Sequence, residues 1–133
     1  MATLVDTNVL LDVLLEDDEW VDWSAAMIAT ASQEGRIVIN PIIYAEVSSA
    51  YDDIEALNRA LPPDYYVREA LPWDSAFLAG RAFVSYRRRG GVRRSPLPDF
   101  YIGAHAAVAG HTLLTRDPQR YRAHFPKLRI LAP

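Results

Sequence analysis

Short apolar runs alternate with helical stripes along this chain. Thr3-Leu4-Val5 is β-prone and apolar, Asp6-Thr7-Asn8 interrupts it, and Val9, Leu10, Val13 and Leu14 then recur at helical spacing. Residues 20–34 carry a second amphipathic stripe that Gly35 ends, and Arg36-Ile37-Val38-Ile39-Asn40 predicts a second short strand. Pro41 suits the first turn of the next helix, which holds Ile42, Ile43, Ala45, Glu46 and Val47. Residues 52–61 predict a helix stopped by Pro62-Pro63, and Val67 to Leu71 a third strand. Trp73-Asp74-Ser75 opens a long helix through Ala76, Phe77, Ala79, Gly80, Ala82, Phe83 and Tyr86. Leu97-Pro98-Asp99 opens another, rich in small residues and ended by Gly110; Thr112 to Thr115 and Leu128 to Leu131 predict the last two strands. Strands alternating with helices imply a parallel sheet covered on both faces.

Composition narrows the possibilities. The 133 residues are 50% hydrophobic and 23% charged, a globular balance that suits a single domain over residues 1–133. With no cysteine, disulfides, zinc–thiolate sites and thiol catalysis are excluded. No apolar run approaches the roughly 18 residues of a membrane span, so no membrane role is expected. The opening Met-Ala-Thr-Leu-Val-Asp lacks the basic region of a secretory signal, and the expected location is cytoplasmic.

Charge is distributed unevenly. Residues 1–80 hold 15 Asp and Glu against three Arg, a net −12; residues 81–133 hold 11 Lys and Arg against two Asp, a net +9. Arg87, Arg88, Arg89, Arg93 and Arg94 crowd around Gly90-Gly91 in what reads as a basic loop. Arg presents a planar fork that matches phosphate oxygens, so these five are candidates for gripping a nucleic-acid backbone; a solvated helix end is the plainer alternative.

Four acidic residues fall where an open parallel sheet binds ligands, beyond the carboxyl ends of its strands. Asp6 ends the first strand, Glu46 lies about one and a half turns past Pro41, Asp99 sits in the first turn of its helix, and Asp117 follows the fourth strand. Each has an ordinary alternative: Asp6 and Asp99 as helix caps, Asp117 before Pro118 as a turn former. Together, however, four carboxylates on one edge repel, since a single pair 4 Å apart costs about 4 kcal/mol at an effective dielectric of 20. A divalent cation removes that cost, and an oxygen-only set favours Mg²⁺ or Mn²⁺ over zinc.

These residues and their settings resemble the PIN-domain ribonucleases, and among them the VapC toxins of type II toxin–antitoxin pairs. The matching segments are Leu4 to Asp12, Asn40 to Val47, Leu97 to Ala106 and Leu113 to Tyr121, in the family's order along the whole chain. The resemblance implies a PIN-like three-layer α/β/α sandwich with a short central parallel sheet. It also implies metal-dependent hydrolysis of RNA phosphodiesters, leaving a 5′ phosphate and a 3′ hydroxyl. Carried over, Asp6 and Asp99 look like direct Mg²⁺ ligands, with Mn²⁺ as a substitute. Glu46 and Asp117 complete the acidic, catalytic set, and Asn8 and Thr115 orient carboxylates or waters. The partners implied are an RNA substrate, a VapB-like antitoxin lying across the active-site groove, and a second copy in a homodimer.

Other features weigh less. His105 and His111 lack a second His at ligand spacing and are not expected to be catalytic. Asp12 lies about 600° round the helix from Asp6, off its face. Tyr44, Phe100 and Tyr101 are candidates for base stacking or for the core. Trp20, Trp23, Tyr51 and Tyr65 are candidates for the core or an interface, and Glu16 to Glu19 form a solvated or antitoxin-facing run. The principal alternative is a catalytically silent PIN-like module that binds RNA or protein. A haloacid-dehalogenase-type phosphatase needs a second Asp where this chain has Asn8, and a Lys that Lys127 is badly placed to supply.

Overall fold

The computed structural model describes residues 1–93 and 97–133, so Arg94 lies outside the described residues. Five parallel strands form one sheet in the order β3-β2-β1-β4-β5: β1 (Thr3–Val5), β2 (Ile37–Ile39), β3 (Tyr66–Arg68), β4 (Thr112–Leu114) and β5 (Ile130–Leu131). The helices between them are α1 (Thr7–Leu14), α2 (Val21–Glu34), α3 (Pro41–Ser48), α4 (Ile54–Ala60), α5 (Trp73–Arg88), α6 (Pro98–Ala109) and α7 (Gln119–Arg122). The result is a three-layer α/β/α sandwich. Among the described residues, no helix is long and apolar enough to cross a membrane.

Burial explains the strand composition. Leu4, Val5, Val38, Ile39, Leu113 and Leu114 are fully buried, as parallel strands covered on both faces require. Leu4 pairs with Val38 on one side and Leu113 on the other, so β1 is the centre of the core. From β1 the chain builds outward to β2 and β3, then crosses back to lay β4 on β1's other edge. The direction of winding therefore reverses between β1 and β4, and a crevice opens at that point.

Helix ends follow local chemistry. Asn40 caps α3, its Oδ1 accepting the Ile43 N–H at 2.9 Å, with Pro41 behind it; Asp53 caps α4 through the Ala56 N–H at 2.7 Å. Gly110 closes α6 at φ 72°, a left-handed conformation that glycine adopts without strain.

Several expectations need correction. Arg87 and Arg88 belong to the last turn of α5 and Arg89 caps it, so the basic cluster is mostly helix end; helical pairing continues until Gly90, where φ reaches 94°. The third strand is Tyr66–Arg68 rather than Val67 to Leu71; beyond it the Glu69 N–H still bonds the Ile39 carbonyl at 3.0 Å, and its carboxylate meets two histidines. The last strand is Ile130–Leu131 alone, and the short α7 was not anticipated. On α5 the buried stripe is Ser75, Ala79 and Ala82, leaving Phe77 69% exposed and Trp73 90% exposed. The small residues face α6, where a close helix pair needs them.

Candidate active site

Asp6 leaves β1 at the crevice and is only 3% exposed. It caps α1, its Oδ1 accepting the Thr7 N–H at 2.8 Å, so the capping alternative and the site reading hold together. Its Oδ2 accepts two hydroxyls at 2.8 Å each, from Thr115 and Tyr121. Thr115 directly follows β4, beside β1, and its Oγ1 also accepts the Asp117 N–H at 3.1 Å.

The other carboxylates converge from separate elements. Glu46, on α3, accepts the Thr7 hydroxyl at 2.6 Å. Asp117 accepts the Asn8 amide at 3.0 Å, and Asn8 Oδ1 faces the Arg116 N–H at 3.4 Å. Asp99 is in the first turn of α6, where Leu97 rather than Asp99 is the cap; its Oδ1 lies 3.4 Å from the Tyr121 hydroxyl. One phenol oxygen thus sits between Asp6 and Asp99. The crevice gathers Asp6, Glu46, Asp99 and Asp117, with Asn8 and Thr115 hydrogen-bonded to two of them.

Their electrostatics are those of a crowded acidic pocket. Burial raises the pKa of Asp99, and the charges of Glu46 and Asp117 raise it further, against the lowering influence of Arg120. Burial likewise raises Asp6, opposed by the hydroxyls of Thr115 and Tyr121 and aggravated by Asp99. Tyr121 is pushed well up by burial and by both neighbouring carboxylates, so its hydroxyl stays a donor. The donor set is all oxygen, and its negative charge exceeds what Arg120 balances. That chemistry fits a hard divalent cation.

Three contributors escaped the sequence reading. Thr7 stands inside Asp6-Thr7-Asn8 and links α1 to Glu46. Tyr121 and Arg120 ride on α7, and no periodicity in so short a helix announces them. Tyr121 reaches the carboxylates because α6 offers Gly103 beneath it: a Cβ there would lie 3.0 Å from the Tyr121 ring and 2.5 Å from the Phe125 ring.

The basic cluster lies elsewhere. Arg87, Arg88, Arg89 and Arg93 are exposed. Arg87 donates to the Arg93 carbonyl at 2.5 Å, and Arg89 to the Ala123 carbonyl at 3.3 Å, just beyond α7. Among the described residues, the guanidinium that touches site carboxylates belongs to Arg120. Arg94 lies outside the described residues. Asp12, off the face of Asp6 as expected, is buried and grips Arg116 through two bonds of 2.7 and 3.1 Å, with Ser24 adding a third at 2.7 Å.

Among the aromatics, Phe100 is 3% exposed and packed on Tyr86 and His124, which rules out base stacking. Tyr44 is half-buried, donates to Asn58 at 2.7 Å and lies under Arg68. Trp20 and Trp23 meet edge to face, while Tyr65 is 42% exposed.

A second cluster has metal-like composition. Glu69, His105 and His111 bring ligand atoms within 4.8 Å of one another, a convergence that their spacing concealed. Hydrogen bonding nonetheless accounts for it. Asn40 Oδ1 takes the Ile43 N–H, so its amide donates to His105 Nδ1 at 3.0 Å and leaves the proton on Nε2. That Nε2–H points at Glu69 Oε1, 3.1 Å away, and His111 Nε2 approaches the same oxygen at 2.8 Å. Burial lowers the His105 pKa despite Glu69. A neutral His105 already bonded at both nitrogens ties α6 to the α3 cap and to the segment just after β3.

The chain's likeness to known proteins agrees with this layout. The PIN domain profile matches residues 3–126. No curated protein sequence matches the chain. Among solved structures, VapBC2 from Rickettsia felis bound to a DNA fragment from its promoter superposes with a TM-score of 0.75 at 18% identity, covering 99% of this chain and 98% of that one. VapBC-1 from nontypeable Haemophilus influenzae gives 0.74 at 18%, with coverage of 99% and 98%. DNA-bound VapBC from Salmonella typhimurium gives 0.71 at 19%, again covering 99% and 98%.

Proposed function

This chain belongs to the PIN domain family, and from that premise we propose that it is a Mg²⁺-dependent endoribonuclease, the VapC-type toxin of a type II toxin–antitoxin pair. The observation that carries this reading is the convergence of Asp6, Glu46, Asp99 and Asp117 from four separate segments onto the crevice between β1 and β4. Such mutual repulsion in a partly buried pocket is a cost that a metal nuclease needs and a silent binding module does not.

Asp6 and Asp99 would hold the cation, with Glu46 and Asp117 flanking it. Bound Mg²⁺ supplies Lewis acidity, making water more acidic and neutralising charge on the phosphoryl group. The chain's own residues do the positioning. Thr115 and Tyr121 fix the Asp6 carboxylate from one side and the Thr7 N–H from the other, so one rotamer is presented. Thr7 aims Glu46 into the crevice, and Asn8 aims Asp117. The exposed Arg87, Arg88, Arg89 and Arg93, at and beyond the end of α5, with Arg94 next to them in sequence, would contact RNA phosphates away from the crevice and offset the acidic pocket's repulsion of the strand.

The similar structures are VapBC toxin–antitoxin complexes. On that basis the partners proposed are a VapB-like antitoxin across the crevice and a second copy of this chain, with the cytoplasm as the site of action. The test is cleavage of total RNA by the purified, antitoxin-free protein with Mg²⁺ or Mn²⁺, with EDTA, and with Asp6→Asn or Asp99→Asn. Discrete fragments that vanish in EDTA and in both variants support the reading. Metal-loaded, folded protein that leaves RNA intact overturns it in favour of the binding module.

A further inference from the structure

Two arginines four residues apart flank the crevice and are held very differently. Arg116 is locked: its guanidinium makes two short bonds to buried Asp12 and lies over the Trp20 ring, 5.1 Å from its centre. Arg120 is loose. Its side chain is 54% exposed, with Nη1 3.6 Å from Asp99 Oδ2 and Nη2 3.7 Å from Asp117 Oδ2. Both separations exceed hydrogen-bonding length, so charge alone holds the guanidinium there. Among the described residues its side chain donates no hydrogen bond that would fix it.

We propose that Arg120 is a resident cation with two stations: it neutralises Asp99 and Asp117 while the site is metal-free, and it turns to an RNA backbone phosphate when a divalent cation takes those carboxylates. The argument is electrostatic. A guanidinium between two carboxylates occupies the potential well that a metal ion would fill, and like charges do not share such a well. Displaced, Arg120 remains on a half-exposed side chain at the rim, where the polyanion arrives. Its planar fork suits phosphate oxygens, and its stem is long enough to swing without moving α7. Arg116 cannot make this move, because leaving Asp12 would strand a buried carboxylate. The substrate station rests on the nuclease reading above; the metal-free station rests on geometry alone.

The test uses the full chain and two substitutions, Arg120→Ala and Arg120→Lys, at a position exposed enough to spare the fold. Mn²⁺ is titrated calorimetrically into metal-free protein without RNA. Arg120→Ala removes the competing charge and should bind Mn²⁺ about three- to tenfold more tightly, whereas Arg120→Lys keeps the charge and stays near wild type. At saturating Mn²⁺, cleavage of a single-stranded RNA oligonucleotide should show the opposite sense. Arg120→Ala raises KM about tenfold and makes its salt dependence shallower by about one phosphate contact, with Arg120→Lys between the two. Unchanged or weaker Mn²⁺ binding by Arg120→Ala overturns the metal-free station, and an unchanged KM and salt slope overturn the substrate station. Wild-type protein that binds no Mn²⁺ overturns the nuclease reading itself, which separates that failure from this one.

Discussion

Replacing Gly103 with Ala probes the packing that places α7 against the carboxylates. A Cβ on Gly103 would sit 2.5 and 2.6 Å from two Phe125 ring carbons and 3.0 Å from a Tyr121 ring carbon. Comfortable carbon contacts are about 3.5–4.0 Å, so the Phe125 ring must retreat by roughly 1 Å. Phe125 and Tyr121 are 5% and 0% exposed, and the Phe125 N–H bonds the Tyr121 carbonyl at 2.8 Å, so the two shift as a unit. Overpacking of this kind costs about 1–3 kcal/mol. Alanine's better helix propensity offsets about 1 kcal/mol. The net loss is about 0–2 kcal/mol, and each kilocalorie lowers Tm by roughly 3–6 °C in a chain of this size.

The site should suffer more than the fold. Retreat of α7 draws the Tyr121 hydroxyl from Asp6 and Arg120 from Asp99, and a misplacement of about 1 Å can cost on the order of a hundredfold in rate. Thermal unfolding, Mn²⁺ titration and RNA cleavage measure the three effects together. Adding Phe125→Leu removes the obstructing ring, so the double variant should recover Mn²⁺ affinity relative to Gly103→Ala alone. A Gly103→Ala protein matching wild type in all three assays would refute the reasoning, as would a double variant no better than the single.

Other substitutions separate the roles within the crevice. Tyr121→Phe deletes a buried donor to Asp6; a loss of about 1–2 kcal/mol at neutral pH and Mn²⁺ binding weakened about tenfold are expected, and calorimetry with unchanged Mn²⁺ affinity would dismiss the role. Asp99→Asn should abolish cleavage yet raise the metal-free Tm at pH 7 by a few degrees, about 1 kcal/mol. Burial and the neighbouring carboxylates raise the folded-state pKa of Asp99, and burial with Asp99 raises that of Asp6. Their contribution to stability is therefore present below the ordinary value of 3.8 and is lost as pH rises through the raised values. The gain from Asp99→Asn should accordingly fade as the pH is lowered toward 4, and a gain independent of pH would contradict it. Asp12→Ala should destabilise by about 1–3 kcal/mol, because buried Ser24 and the partly exposed Arg116 both lose their acceptor, with Asp12→Asn milder; chemical denaturation distinguishes them.

The histidines illustrate how tertiary structure overrides spacing. His105 and His111 read as an unpaired residue on an alanine-rich helix and a residue past its stop. The fold instead brings them to one oxygen of Glu69, a residue that the sequence pattern assigned to a strand. Asn40 then decides the protonation of His105, because its own amide is oriented by the α3 cap. The three residues have the composition of a ligand set, and the hydrogen-bond directions show that set already satisfied.

Local chemistry made most of the architecture legible. Uninterrupted apolar triplets such as Ile37–Ile39 mark strands buried on both faces, and Asn40-Pro41 and Gly110 mark helix ends through their own backbone preferences. The four carboxylates were legible for the same reason: a parallel sheet aligns its strand ends, so residues just beyond them share an edge. What the sequence could not determine depends on contacts between distant segments. Whether Arg87 to Arg89 face solvent from a helix, and whether Phe77 is core or surface, follows from which side of α5 meets α6. Tyr121 and Arg120 belong to the crevice because a glycine on α6, eighteen positions before Tyr121, leaves the space in which α7 docks. Periodicity reports which face of an element is apolar. Which polar groups meet across the crevice is decided by packing, where a missing methyl group on one helix fixes the reach of a hydroxyl on another.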